Sequence, residues 1–133
     1  MSTELTVLAL AGLLQVVQFV LYSVTANLQV GTKKALSPRD TPVQLTGAAG
    51  RLQRAMNNHF EGLILFTLAF VVTELGKGST PLSAICAHTY LIARILYVPA
   101  YVQGLVPWRS VIWLVGFGAT VVMLLAALFP SLG

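Results

Sequence analysis

The sequence predicts an all-α integral membrane protein in which four transmembrane helices form a bundle. Of its 133 residues, 56% are hydrophobic and only 9% are charged, and its mean hydropathy is +0.82. This is the profile of a membrane protein and not of a soluble core. The apolar residues fall in four stretches of roughly 20 residues, the length that crosses a bilayer. We therefore expect one membrane domain over residues 1–133.

Each span follows from local signals. The first apolar run lacks a basic leading segment and a small-residue cleavage site, so we interpret it as a retained span and not a signal peptide. Thr80 before Pro81 is typical of a helix N-cap followed by proline at the first helical position, and Pro107 is expected to open the last helix. The polar residues 27–50 are expected to form a loop. The predicted spans are residues 5–26, 52–75, 81–102 and 107–129.

The basic residues indicate the orientation in the membrane. Five of the eight lie in or next to the first loop, namely Lys33, Lys34, Arg39, Arg51 and Arg54. Because cytoplasmic loops are rich in lysine and arginine, the first and third loops are expected in the cytoplasm. The same bias explains the net charge of +4, so we expect no nucleic-acid partner. The short loops favour a bacterial plasma membrane over an internal eukaryotic membrane.

Cysteine and histidine point to no metal centre. Cys86 is the only cysteine, which excludes an intrachain disulfide, and its apolar surroundings are typical of a small buried side chain. Neither His59 nor His88 belongs to a pair with metal-ligand spacing. We interpret His59 as an interfacial residue and His88 as a hydrogen-bonding residue between helices.

Polar residues recur at helical spacing in three of the four spans. Side chains three and four positions apart share one face of a helix, so two stripes and one helix start are expected to converge at the cytoplasmic end of the bundle. The first stripe comprises Arg54, Asn58 and Glu61. The second comprises Arg94, Tyr97 and Tyr101, and Arg109 and Ser110 begin the fourth span.

This convergence favours a binding site over separate structural roles. Taken singly, Arg54 and Arg109 could be anchors at the membrane surface, the tyrosines could belong to an aromatic belt, and Glu61 could neutralise an arginine. Excess arginine with one carboxylate suits a ligand with several carboxylates and an ammonium group, because guanidinium binds carboxylate through two parallel hydrogen bonds. A small acidic peptide would match.

At these residues the sequence resembles the MAPEG family, membrane-associated proteins of eicosanoid and glutathione metabolism. The residues from Arg54 to Glu61 are similar to the family's Arg-x-x-x-Asn-x-x-Glu signature. Residues 90–97 with Tyr101 are similar to the third helix of one member, and residues 107–111 to the start of the fourth helix of another. Residues 28–30 with Lys33 and Lys34 resemble the end of the first helix.

The resemblance implies a homotrimer that binds glutathione between subunits on the cytoplasmic side, surrounded by membrane lipids. It makes Arg109 the residue that holds the glutathione thiolate, with Ser110 assisting. The thiolate would then attack a lipophilic electrophile. The resemblance assigns glutathione contacts to Lys33, Lys34, Arg54, Asn58, Glu61, Arg94, Tyr97 and Tyr101. The expected activity is that of a glutathione transferase or a glutathione peroxidase.

Two other classes stay open. The first is a non-enzymatic scaffold of the same fold that binds or presents lipids. The second is a small four-span exporter. Proteins of that class have a carboxylate deep in the first helix, whereas the acidic residue of the first helix here, Glu4, lies at its edge.

Overall fold

The computed structural model describes residues 2–31, 46–76 and 78–129, which contain four long helices. All four are long and apolar enough to cross a membrane, which confirms the predicted fold class. Their bounds are α1 Thr3–Val30, α2 Gly47–Leu75, α3 Pro81–Val102 and α4 Trp108–Leu128.

The helices run alternately up and down. At one end, Ser2 before α1 donates a hydrogen bond to Glu74 near the end of α2. At the other end, Arg51 near the start of α2 donates to the carbonyl of Val102 at the end of α3. The central pair α2 and α3 each contact all three other helices, whereas α1 and α4 lie on opposite sides of that pair. Side chains of α2, α3 and α4 can therefore meet without α1 lying between them.

The first two helices are longer than predicted, because residues 27–30 and 47–50 are helical instead of belonging to the expected loop. A helix of 28 residues is about 42 Å long and exceeds the roughly 30 Å hydrocarbon core, so its ends need not be apolar. Gln29 joins the end of α1 to the start of α2. Its side-chain amide accepts from the backbone N–H of Thr46 and donates to the Thr46 carbonyl, each at 2.9 Å.

The start of α3 has the predicted cap. The Thr80 hydroxyl accepts from the backbone N–H of Ser83, while Ser83 accepts from the N–H of Thr80, with Pro81 at the first helical position. This reciprocal capping box satisfies two backbone donors that a helix start leaves open.

Small residues bring the helices close together. Alanines of all four helices belong to the buried core, together with Phe66 of α2 and Tyr90 of α3, whose rings stack at 4.2 Å. Cys86 is buried in the same cluster, as predicted. A Cβ atom on Gly116 of α4 would lie 3.3 Å from the Cβ of Ala93 in α3. This close approach holds α4 against the segment of α3 that carries Arg94.

Candidate binding and catalytic site

Arg94 is a buried cation with partners from α2. Its side chain is only 2% exposed. Its Nη1 donates to Oδ1 of Asn58 at 3.0 Å and its Nε donates to Nδ1 of His59 at 3.1 Å. The guanidinium also lies over the Tyr97 ring, 4.6 Å from the centroid, a cation–π geometry that stabilises a partly desolvated charge.

Tyr101 organises the two arginines nearer the end of the bundle. Nε of Arg54 donates to the Tyr101 hydroxyl at 3.1 Å. The Arg109 guanidinium lies over the Tyr101 ring, 4.8 Å from its centroid. The centroids of the Tyr97 and Tyr101 rings are 5.5 Å apart. Side chains of α2, α3 and α4 therefore meet around one aromatic ring, and the two predicted stripes face each other.

Two neighbouring cavities open among these residues. The cavity that we call the Arg109 cavity has a volume of about 480 Å³ and is lined by Asn58, Tyr97, Tyr101, Arg109, Ser110, Trp113 and Leu114. Its volume lies within the range of about 300–1,000 Å³ that is typical of small-molecule sites. A second cavity, the Arg94 cavity, holds about 180 Å³ and is lined by Asn58, Glu61, Gly62, Leu65, Tyr90, Arg94, Trp113, Phe117 and Thr120. Asn58 and Trp113 line both, so the cavities adjoin.

The Arg94 cavity contains buried polar atoms with unused hydrogen-bonding capacity. Nη2 of Arg94 and the Tyr90 hydroxyl are buried and have no hydrogen-bond partner in the part of the chain that the structure describes. A buried polar group without a partner is costly, by about 1–3 kcal/mol. Both residues line the same cavity, so a polar ligand or water there would relieve that cost.

The predicted site residues divide by position. The structure brings together Arg54, Asn58, Arg94, Tyr97, Tyr101 and Arg109. Glu61 and Ser110 are exposed and line the Arg94 and Arg109 cavities respectively. The hydrogen-bond acceptors of Arg94 are Asn58 and His59, and Glu61 is not among them. Lys33 and Lys34 lie outside the described residues.

Both histidine interpretations were wrong. His59 is fully buried and bridges α1 and α3, because its Nε2 lies 3.0 Å from the Ala11 carbonyl and its Nδ1 accepts from Arg94. His88 is exposed, and within the described residues its Nδ1 bonds to a carbonyl of its own helix, that of Ala84 at 3.0 Å. A sequence signal for His59 exists, since it falls on the buried stripe of α2 at spacings of three, four and seven residues. That stripe comprises Leu52, Ala55, His59, Phe66, Ala69 and Thr73.

Tyr90 and Trp113 were also missed as lining residues. Tyr90 precedes Arg94 by four positions, so both side chains lie on one face of α3. Trp113 follows Arg109 by four positions on α4 and lines both cavities. Among residues 2–31, 46–76 and 78–129, no group of three or more potential ligands could hold a metal ion.

The fold and site define a class: a multi-pass integral membrane protein with an arginine- and tyrosine-lined cavity at one end of a four-helix bundle. The model of the MAPEG family matches residues 7–129, nearly the whole chain. The protein therefore belongs to the MAPEG family, which includes glutathione transferases and related proteins as well as members without enzymatic activity. A comparison with curated proteins gives no match.

Proposed function

We propose that the protein is a glutathione-dependent transferase that conjugates lipophilic electrophiles inside the membrane, with reduction of hydroperoxides as a second reaction of the same thiolate. The observation that carries this proposal is the pair of adjoining cavities, which together present Arg94, Arg109, three tyrosines and Glu61. Family membership supports it, because the family includes glutathione-dependent enzymes.

Glutathione suits this set of donors and acceptors. It carries two carboxylates, one ammonium group and a thiol, so it needs more cationic partners than anionic ones. Arg94 brings Nη2, buried and unpartnered within the described part of the chain, to one cavity, and Glu61 brings an exposed carboxylate to the same cavity. The Tyr97 and Tyr101 hydroxyls can donate to carboxylates or accept from amides. Arg54, Asn58 and, outside the described residues, Lys33 and Lys34 complete the proposed contacts.

Arg109 is the proposed catalytic residue. Its guanidinium lines the larger cavity and is oriented by the Tyr101 ring. Bound glutathione supplies the thiol, whose ordinary pKa is about 8.5. A neighbouring guanidinium favours the thiolate, and lowering that pKa by about two units corresponds to about 2.7 kcal/mol. Ser110, one position on, would donate a hydrogen bond to the same sulfur or to the oxygen of the electrophile.

The setting follows from the same reasoning. We propose a homotrimer in which glutathione lies between subunits and the lipophilic electrophile arrives from the bilayer. The arginine-rich end would face the cytoplasm of a bacterial cell, because the basic first loop joins that end.

One observation favours a second candidate, the lipid-binding scaffold. An apolar groove of about 270 Å³ runs between α3 and α4, lined by Thr89, Ile92, Ala93, Leu96, Val111, Ile112 and Val115. A scaffold would use such a surface without needing a thiolate, so the two functions differ in whether glutathione is activated.

The test is the ultraviolet difference spectrum of the purified protein with glutathione at neutral pH. We expect thiolate absorbance for the wild type and its loss in Arg109→Ala. Arg51→Ala is the matched control, because Arg51 lies at the same end but bonds the Val102 carbonyl and lines neither cavity. Absence of both thiolate absorbance and calorimetric binding in the wild type would favour the scaffold. Binding without thiolate would contradict the role of Arg109.

A further inference from the structure

His59 connects three helices at a single imidazole ring. It is 0% exposed on α2. Its Nε2 lies 3.0 Å from the carbonyl of Ala11 in α1, and its Nδ1 lies 3.1 Å from Nε of Arg94 in α3. A carbonyl and an arginine impose opposite roles on the two nitrogens, because the first only accepts and the second only donates. The ring therefore carries its hydrogen on Nε2 and accepts at Nδ1.

This ring determines which way the Arg94 guanidinium faces. Nε of Arg94 is held by His59 and Nη1 by Asn58, while Cζ lies over the Tyr97 ring. These contacts leave Nη2 as the nitrogen without a partner in the described part of the chain. Rotation of the planar group about its long axis would break the His59 bond and move Nη2 relative to the cavity wall.

We propose that His59 is a positioning residue: its Nδ1 acceptor orients Arg94 toward the binding cavity, and its Nε2 donor anchors this arrangement to α1. His59 lines neither cavity, so it acts through Arg94 and does not itself contact glutathione. The inference deepens the proposed function and rests on it, since the ligand that Arg94 is proposed to bind is glutathione.

Two conservative substitutions separate the two bonds. An asparagine amide reaches the position of Nδ1 but falls short of Nε2, so His59→Asn keeps an acceptor for Arg94 and loses the bond to Ala11. A glutamine amide reaches the position of Nε2, so His59→Gln keeps the bond to α1 and loses the acceptor for Arg94. Both side chains are no larger than histidine, which avoids overpacking a fully buried site.

The experiment measures glutathione affinity by calorimetry and thermal unfolding of the same detergent-solubilised protein. We expect His59→Gln to bind glutathione about tenfold more weakly and to unfold at a lower temperature, because a buried charged donor loses its acceptor. His59→Asn should bind within about threefold of the wild type and unfold at a lower temperature. His88→Gln is the matched control, since the bond that His88 makes among the described residues lies within α3, and it should change neither quantity.

Two results would overturn the proposal: unchanged glutathione affinity in His59→Gln, or equal weakening in both variants. If His59→Asn does not fold, the comparison of His59→Gln with His88→Gln still decides the matter.

A second readout does not require glutathione. In protein with ¹⁵N-labelled arginine, the Nε–H of Arg94 should exchange faster with solvent in His59→Gln than in the wild type or in His59→Asn. If the wild type fails to bind glutathione but this pattern holds, the positioning role stands and the proposed ligand is wrong. Unchanged exchange in His59→Gln contradicts the positioning role itself.

Discussion

The two ends of the bundle hold polar side chains in different ways. We call them the serine end, where α1 and α3 begin, and the arginine end, where α2 and α4 begin. At the serine end the Glu4 carboxylate is 0% exposed, and its Oε1 accepts from Ser79 at 2.8 Å and from Ser83 at 2.6 Å. Its Oε2 is buried without a partner in the described part of the chain, and Ser2 with Glu74 forms a second hydroxyl–carboxylate pair.

At the arginine end the protein holds the charged side chains in place but, among the described residues, leaves part of their hydrogen-bonding capacity unused. Arg94, Arg54 and Arg109 pack against tyrosine rings, and two adjoining cavities remain beside them. Hydrogen bonds between helices explain the serine end as a structural joint. The arginine end contains more donors than internal acceptors, which is the property of a site for an anionic ligand.

The largest expected effect is that of Arg94→Met. The substitution leaves the acceptors of Asn58 and His59 without their donor and removes the cation from the smaller cavity. We expect glutathione affinity to fall by at least about 50-fold and unfolding to require about 2–4 kcal/mol less free energy. Calorimetry and denaturant titration measure these two quantities.

Arg51→Met is its control at the same end. Arg51 is exposed and makes one hydrogen bond to a backbone carbonyl, so its loss should change stability by less than about 1 kcal/mol and leave affinity unchanged. If Arg94→Met and Arg51→Met changed glutathione affinity and unfolding free energy equally, the arginine end would be a charged surface and not a binding site.

An intermediate effect is expected at Tyr101. Tyr101→Phe removes the hydroxyl that accepts from Arg54 but keeps the ring under Arg109. Tyr101→Leu removes both. We expect Tyr101→Phe to lower kcat/KM with glutathione about threefold and Tyr101→Leu about tenfold or more, because only the second loses the cation–π support of Arg109. Steady-state kinetics with a lipophilic electrophile distinguish the two, and equal losses would show that the ring does not orient Arg109.

The smallest effect on function is expected at the serine end. Ser83→Ala removes a donor to Glu4 and one half of the capping box of α3. We expect unfolding to require about 1–2 kcal/mol less free energy, with glutathione affinity within about twofold of the wild type. Thermal unfolding and calorimetry of the same sample test this. A tenfold loss of glutathione affinity would mean that the serine end influences the arginine end, which contradicts a purely structural role for the serine end.

The sequence predicted most of the architecture because each membrane span requires about 20 consecutive apolar residues, which are visible in the sequence. Four apolar stretches of sufficient length determined the helix count, and the Thr80–Pro81 pair determined the start of α3. The helix ends next to the first loop were less predictable. Outside the hydrocarbon core a helix no longer needs a continuous apolar run, so residues 27–30 and 47–50 lack the signal that marks a span.

The sequence predicted which polar residues share a helix face, but not which of them bond to one another. Helical spacing placed Arg54, Asn58 and Glu61 on one face of α2. Spacing could not decide whether Arg94 pairs with Glu61 or with another group, since that depends on the rotation of α2 about its axis. The structure gives Arg94 to Asn58 and His59, and leaves Glu61 exposed at the cavity.

Composition and helical spacing are sufficient to predict a four-helix membrane protein whose polar stripes meet at one end. The packing of the helices is needed to see that His59 is buried beneath that end and that Tyr101 lies between Arg54 and Arg109. The physical reason is that hydrophobicity and helical periodicity are properties of one segment, whereas a hydrogen bond between helices depends on how closely small residues such as Gly116 let them approach.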